Sequence, residues 1–170
     1  MNLKLLRTGG IAVAVVVLIL AIIAALNPND REKAPELNYR LIDGRVQSSS
    51  DLHGKVMLVN FWATTCSTCV KEIPKLVETY QKFHPKGLET LAVAMKHDNL
   101  TYIGHFVQSR QLPFWVSYDD KGELAQQWGQ VQLTPTTFLV NKRGEIVKRY
   151  VGEPDFAQLD ALIARLLQES

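Results

Sequence analysis

The chain has 170 residues, of which 46% are hydrophobic and 21% are charged, as expected for one compact domain with a short additional segment. Its 19 basic and 17 acidic residues are almost balanced, and without the N-terminal Lys4 and Arg7 the remaining chain carries 17 of each sign. This neutrality argues against nucleic acid as a partner, and neither internal repeats nor low-complexity tracts indicate a repeat or fibrous protein.

An uncharged apolar run, residues 9–26, is predicted to be a transmembrane signal anchor. The alternative is a cleaved signal peptide, whose apolar core is usually about 7 to 15 residues long, whereas a membrane span needs about 17 or more. Because basic residues lie only before the run, residues 1–8 are predicted to stay in the cytoplasm and the rest to be exported. The expected location is the bacterial inner (cytoplasmic) membrane, with a single span and the catalytic domain on the periplasmic, extracytoplasmic side.

The segment after the anchor, residues 27–35, is polar and charged and contains two prolines, so it is predicted to be a linker. The domain itself is expected to occupy residues 36–170. It opens with two short β-prone runs on either side of Asp43 and Gly44, a pair typical of a tight turn. This pattern predicts an N-terminal hairpin.

The rest of the domain alternates between strand and helix patterns. Residues 56–61 form a short apolar run that predicts a buried central strand, and apolar residues at helical spacing predict a helix from Cys66 to His84. The later predicted elements are a strand over 88–95, a helix capped by Asp98 or Asn99, a strand over 114–119, a short helix over 121–129, a hairpin over 136–152 and a final helix from Pro154 or Asp155. This order predicts an α/β fold in which a central mixed β-sheet is flanked by helices on both faces.

The two cysteines of the chain, Cys66 and Cys69, form a Cys-x-x-Cys pair where the predicted central strand gives way to a helix. At the first turn of a helix, free backbone N–H groups and the helix dipole favour an anion, so a cysteine there is shifted toward the reactive thiolate. The spacing places both cysteines on one helical face, within reach of a disulfide. Cys66 is predicted to attack the disulfide of a partner and Cys69 to resolve the mixed disulfide, which needs no cofactor.

Two other interpretations of the cysteine pair are weaker. A zinc site needs four ligands, and the histidines of the chain show no paired spacing near the cysteines: His53, His84, His97 and His105. Two buried cysteines without chemistry are also possible, but a pair this close would form a disulfide in the oxidising compartment expected for an exported domain. The sequence therefore favours a redox pair without a metal.

The stretch NFWATTCSTCVKEIP, residues 60–74, resembles the active-site segment of the thioredoxin superfamily. Together with LHGKVMLVNFWAT, residues 52–64, it is most similar to the membrane-anchored TlpA/ResA branch, and the resemblance extends over residues 36–168. It implies a thioredoxin-like fold and a protein thiol:disulfide oxidoreductase, a disulfide reductase of the cytochrome c maturation type. The implied partners are the thiols or disulfides of exported proteins, such as apocytochrome c, and a membrane thiol carrier as electron donor.

Glu72 is the acidic residue that both the spacing and the resemblance single out. It lies three residues after Cys69, on the same side of the predicted helix. The resemblance implies that Glu72 accepts the proton of Cys69 during resolution, which requires a partly buried carboxyl with a raised pKa. The alternative is a glutamate that faces solvent and adds only weak helix stabilisation. Asn60 stands where many thioredoxins carry a buried acid, and this makes Glu72 the nearest candidate for proton transfer.

The resemblance also assigns four substrate-binding residues. Thr134 and Pro135 resemble the cis-proline loop of the family, which implies backbone groups that face the cysteines and bind an extended substrate segment. Trp62 and Thr65 complete the implied set, although Trp62 is expected mainly to pack beneath the site. The family commonly has tryptophan at the position of Thr65, so the sequence does not define the substrate preference.

Two other functions compete with the reductase hypothesis. A copper-binding assembly factor of thioredoxin-like fold is the main alternative, because such proteins hold copper through two thiolates and a histidine. Their cysteines are separated by three residues, whereas those of this chain are separated by two. A peroxidase of the peroxiredoxin type would need Pro-x-x-x-Thr-x-x-Cys, and neither cysteine is preceded by that pattern. The sequence favours the reductase.

Overall fold

The computed structural model of the protein describes residues 16–18, which are helical, and residues 31–169. The predicted cytoplasmic segment, most of the predicted anchor and the first part of the predicted linker lie outside the described residues. Within the two described ranges, no helix is both long enough and apolar enough to cross a membrane.

The described domain contains seven strands and four α-helices in an alternating order. The strands are β1 (Asn38–Arg40), β2 (Val46–Ser48), β3 (Val56–Trp62), β4 (Leu88–Ala94), β5 (Trp115–Tyr118), β6 (Thr136–Val140) and β7 (Ile146–Val151). The helices are α1 (Ser67–Phe83), α2 (Leu100–Arg110), α3 (Glu123–Gln127) and α4 (Phe156–Gln168), with short 3₁₀ turns at Ser49–Leu52 and His84–Lys86. Each element predicted after the linker is confirmed, with small differences at the ends.

The central sheet has the strand order β5-β4-β3-β6-β7, with β3 in the middle. β3 runs parallel to β4, and β4 runs parallel to β5, whereas β6 is antiparallel to both of its neighbours. All seven residues of β3 are buried, as a central strand covered on both faces requires. The strands β1 and β2 form the separate N-terminal hairpin. The predicted mixed α/β sheet of thioredoxin-like type is therefore confirmed.

Successive residues of β3 enter two different hydrophobic cores, because side chains alternate between the faces of a strand. Leu58 belongs to the core beneath α1 and α4, where it joins Ile163. Its neighbour Val59 belongs to the opposite core, with Tyr39 of β1 and Trp128 at the end of α3. These side chains are at most 1% exposed, and each contributes about 1.5–3 kcal/mol to stability through burial. The cysteines lie on the α1 side of the sheet.

Segments that precede β3 cover both edges of the central sheet. On the β5 side, the Ile42 N–H donates to the Val116 carbonyl at 2.9 Å. On the β7 side, the backbone of Lys33 forms an antiparallel β-bridge with that of Glu145, and the Ile146 N–H donates to the Glu32 carbonyl at 2.8 Å. Residues 32–34, which the sequence assigns to the linker, thus pack with the domain, because the edge of the β6–β7 hairpin offers backbone groups to them.

Candidate active site

The two cysteines lie where β3 ends and α1 begins, as predicted. Cys66 is the N-cap of α1 and has extended backbone angles, φ −89° and ψ 104°. Its Sγ accepts a hydrogen bond from the Cys69 N–H at 3.2 Å, so the sulfur takes the place of the oxygen that usually caps a helix. The sulfur that is predicted to carry negative charge therefore lies at the N-terminus of α1, where free N–H groups and the helix dipole favour an anion.

Cys66 and Cys69 are joined by a disulfide, and their Cα atoms are 5.2 Å apart. Cys66 is half-buried, whereas Cys69 has no exposed surface. A partner protein can therefore reach the Cys66 sulfur first, and Cys69 is placed to react only with Cys66. This asymmetry matches the order of attack and resolution expected from the sequence.

Glu72 lies one turn after Cys69 on α1 and is also completely buried. Its Oε1 accepts a hydrogen bond at 2.9 Å from Asn60 Nδ2, which also donates to Thr137 Oγ1 at 2.9 Å. The other carboxyl oxygen of Glu72 has no hydrogen-bond partner within residues 31–169. The solvent-facing alternative for Glu72 is wrong, because the helix turns this side chain toward the sheet.

The buried carboxyl of Glu72 is a weak acid. Burial disfavours the charged form and raises the pKa of Glu72 from 4.5 to about 7, although the hydrogen bond from Asn60 opposes part of the rise. The charge of Glu153 raises the pKa slightly, and that of Lys75 lowers it. These two groups largely compensate each other, because Lys75 Nζ is 2.7 Å from Glu153 Oε1. Glu72 can therefore change its protonation state near neutral pH.

The predicted cis-proline loop precedes β6, and the Thr134–Pro135 peptide bond is cis. The Pro135 carbonyl accepts a hydrogen bond from the Gly152 N–H at 2.8 Å, which ties the loop to the end of β7. Thr136, the next residue, is paired with Phe61 near the carboxyl end of β3. The loop therefore lies at the edge of the sheet from which α1 starts. Contact of Thr134 and Pro135 with a substrate stays a prediction.

The two residues assigned beside the cysteines have opposite environments. Thr65 is exposed next to Cys66, where a substrate can meet it. The side chain of Trp62 is fully buried, and its ring centroid lies 5.1 Å from that of Phe106 of α2. The assignment of Trp62 to substrate binding is therefore corrected, because alternation along β3 directs this ring into the core, where it packs against α2.

Asn60 and Thr137 are polar core residues whose role the sequence did not reveal. Both are completely buried, and they are opposite each other on β3 and β6. The sequence shows Asn60 only as a residue in place of a buried acid, and nothing in it connects Asn60 with a threonine that follows 77 residues later. The strand pairing brings them together beneath Glu72.

The copper alternative requires a third ligand beside the two sulfurs. Within residues 16–18 and 31–169, no group of three or more His, Cys, Asp or Glu side chains is arranged to hold a metal ion. The described side chains therefore offer no observation in favour of the copper alternative.

Comparisons with known proteins agree with this geometry. Residues 29–163 match the family described as Redoxin. Thiol-disulfide oxidoreductase ResA of Bacillus thuringiensis subsp. konkukian is 31% identical over 135 residues, which cover 79% of this chain and 77% of that protein. The solution structure of a candidate thioredoxin from Neisseria meningitidis is 39% identical with a TM-score of 0.77, and the match covers 83% of this chain and 93% of that one. A thioredoxin-family thiol:disulfide interchange protein from Chlorobium tepidum is 25% identical with a TM-score of 0.74, covering 81% of this chain and 97% of that one.

Sequence, fold and cysteine geometry lead to one assignment. The disulfide between Cys66 and Cys69 lies at a helix N-terminus, on the scaffold that these relatives share. The chain belongs to the Redoxin family and is a thiol:disulfide oxidoreductase similar to ResA.

Proposed function

We propose that the protein is a membrane-anchored reductase of disulfides in exported proteins, and that Glu72 accepts the proton of Cys69 during each reaction. The observation that carries the proposal is the buried carboxyl of Glu72, one helical turn after the buried Cys69. A thiol enclosed in protein must lose its proton before it can attack a disulfide, and water does not reach Cys69 to accept that proton. A carboxyl with a pKa of about 7 can accept it at neutral pH and release it afterwards.

The proposed reaction has two exchange steps. The Cys66 thiolate attacks one sulfur of the client disulfide, a mixed disulfide forms, and the other client sulfur leaves as a thiolate that takes a proton from water. Cys69 then gives its proton to Glu72, and its thiolate attacks Cys66 Sγ. The second client sulfur leaves and is protonated in turn. The client gains two electrons and two protons, and the enzyme is left with the Cys66–Cys69 disulfide that the structure contains.

The reducing direction is supported by the residues between the cysteines. Ser67 and Thr68 carry no charge, so apart from the helix terminus little stabilises a thiolate on Cys66. Thiol:disulfide oxidoreductases that are strong oxidants have an unusually stable thiolate, which favours their reduced form and so raises their reduction potential. We therefore expect a mild reductant, which must receive electrons from an external dithiol.

The client, the electron donor and the location follow from the resemblance to the TlpA/ResA branch and from the apolar run. We propose apocytochrome c as a client, a membrane thiol carrier as the donor, and residues 9–26 as the single membrane anchor that holds the domain on the extracytoplasmic side. The neutral charge of the chain after the run is compatible with protein clients of either charge.

A single-turnover experiment tests the role of Glu72. Reduced full-length protein is mixed with a disulfide-bonded test protein, the reaction is stopped with acid, and the mixed disulfide is measured with time. In Glu72→Gln we expect attack by Cys66 at the wild-type rate and resolution slowed by about 100-fold at neutral pH, so that the mixed disulfide accumulates. Glu78→Gln, a matched change on the exposed side of α1, should behave as wild type. Resolution at the wild-type rate in Glu72→Gln would show that another group accepts the proton.

Two measurements on one sample test the direction of electron flow and the copper-binding alternative. The reduction potential of the full-length protein is measured in glutathione buffers, and its metal content is determined in parallel. The expected result is a metal-free protein with a reduction potential well below those of strong oxidants, which are about −120 mV. Stoichiometric copper bound by both cysteines would favour the copper-binding alternative instead.

A further inference from the structure

A buried carboxylate outside the cysteine motif is hydrogen-bonded to the segment that leads to Cys66. Asp98, which is only 8% exposed, accepts two hydrogen bonds from Thr64: Oδ2 from the backbone N–H at 2.5 Å and Oδ1 from the hydroxyl at 2.6 Å. Thr64 lies two residues before Cys66, in the short connection between β3 and α1. These bonds join that connection to residues 34 positions later in the chain.

Asp98 is itself held firmly by its surroundings. Its Oδ1 also accepts the Asn99 N–H at 2.8 Å, so the carboxylate receives three hydrogen bonds. Its backbone N–H donates to the Met95 carbonyl at 2.9 Å, and its carbonyl accepts the Tyr118 hydroxyl at 3.0 Å. Asp98 therefore provides a rigid anchor, which the end of β4 and the end of β5 both support.

The hydrogen bonds of Cys66 itself are local. Its N–H donates to the Ala63 carbonyl at 3.1 Å, its carbonyl accepts the Val70 N–H at 3.0 Å, and its sulfur accepts the Cys69 N–H. These bonds stay within a few residues of Cys66, so apart from the packing of Cys66 on the core beneath α1 they do not fix the connection relative to the sheet. The pair between Thr64 and Asp98 supplies this long-range link, together with the bond from the Met95 N–H to the Trp62 carbonyl at 2.9 Å.

We propose that Asp98 is a positioning residue that holds Thr64, and through it Cys66, in one place in both redox states, and thereby sets the stability of the Cys66–Cys69 disulfide. The inference rests on the thiol:disulfide oxidoreductase function. A disulfide is more stable relative to the dithiol when the protein keeps the two thiols close together, that is, at a high effective concentration. Cys69 is fixed within α1, so the freedom of Cys66 in the reduced protein determines that concentration.

Removal of the Asp98 carboxylate is therefore expected to make the disulfide easier to reduce, because the connection that carries Cys66 gains freedom in the reduced protein.

The test compares reduction potentials of full-length variants equilibrated with glutathione buffers. For Asp98→Asn we expect the equilibrium constant for disulfide formation to fall by about tenfold, which corresponds to a potential about 30 mV less negative. Thr64→Val keeps the backbone bond and removes only the hydroxyl bond, so a fall of about threefold is expected. Thr64→Ser restores the hydroxyl and should restore the wild-type potential.

A matched control separates positioning from general loss of structure. Asp119 is similarly buried, at 3% exposed, but it accepts the Leu124 and Ala125 N–H groups and so caps α3 instead of the redox connection. Asp119→Asn is expected to lower stability and keep the wild-type potential. An equal shift of potential in Asp119→Asn would overturn the proposal.

Wild-type potentials in both Asp98→Asn and Thr64→Val would also overturn the proposal. If Asp98→Asn does not fold, the potential of Thr64→Val alone tests the proposal. Failure of the proposal is distinguishable from failure of the function on which it rests. In the first case the wild-type protein equilibrates with glutathione and the variants match it, whereas in the second case the wild-type protein does not exchange disulfides at all.

Discussion

Replacing Glu72 by Gln is expected to remove a pH-dependent loss of stability that the wild-type protein carries. The carboxyl of Glu72 has a pKa of about 7 in the folded protein, against the ordinary value of 4.5 that applies to the unfolded chain. Between these two values the folded state keeps a proton that the unfolded chain has released, so stability falls as the pH rises through this interval. Each unit of difference between the two pKa values corresponds to about 1.4 kcal/mol. The ionisation of Glu72 therefore lowers the free energy of unfolding by about 3 kcal/mol above pH 7, compared with its value below about pH 4.5.

Glutamine has the shape of a protonated glutamate and keeps an oxygen for the 2.9 Å hydrogen bond from Asn60 Nδ2. Below about pH 4.5 the variant and the wild-type protein should therefore have similar free energies of unfolding, and above about pH 7 the variant should be more stable by about 3 kcal/mol. The assay is urea unfolding of the oxidised full-length protein at several pH values from about 4 to about 8. Subtracting the wild-type curve from that of the variant cancels the contributions of all other titrating groups.

Glu78→Gln provides the control, because this glutamate on the same helix faces water in the folded protein. Its difference curve against wild type should be flat. The reasoning is refuted if the difference curve of Glu72→Gln is equally flat, or if the stability of the variant relative to wild type falls as the pH rises. Either result would mean that the folded protein keeps Glu72 ionised near neutral pH, and the proposed proton acceptor would lose its physical basis.

Three further changes have defined outcomes. Replacing Cys69 by Ser should trap a disulfide-bonded client on Cys66 as a mixed disulfide, which non-reducing electrophoresis detects; trapping by the Cys66→Ser variant instead would reverse the assigned order of attack. Replacing Asn60 by Ala removes a hydrogen bond that lowers the pKa of Glu72, so this pKa should rise further, as followed by NMR titration of the carboxyl; an unchanged value would contradict the contact. Replacing the fully buried Leu159 by Ala should lower the free energy of unfolding by about 2–5 kcal/mol in urea, and a loss below 1 kcal/mol would mean that α4 packs loosely on the sheet.

The elements of the fold could be predicted because their signals are local. The apolar run that begins at Val56 became the central strand β3, and the helical spacing of apolar residues after Cys66 became α1. The position of Cys66 at the helix N-terminus follows directly from the junction of these two patterns. The part of the site that depends on one strand and the next helix was therefore visible in the sequence.

Contacts between distant elements were not visible, and these contacts determine the environment of the site. The buried Glu72 accepts a hydrogen bond from Asn60, which is itself bonded to Thr137, and this arrangement depends on the pairing of β3 with β6. Asp98 shows a helix-capping pattern in the sequence, but its bonds to Thr64 depend on how β4 lies beside β3. Propensity and spacing describe each element separately, so they contain no information on such pairs.

The coverage of the sheet margins by residues that precede β3 has a consequence for solubility. Uncovered outer strands present rows of free backbone donors and acceptors, onto which a second chain can add. Here Ile42 occupies the outer side of β5, and residues 32–34 occupy the start of β7. A shortened chain that begins at Ser49 would keep every residue of the redox centre, but it would uncover both margins of the sheet and would also lose the buried Tyr39 of the second core, so we expect it to self-associate.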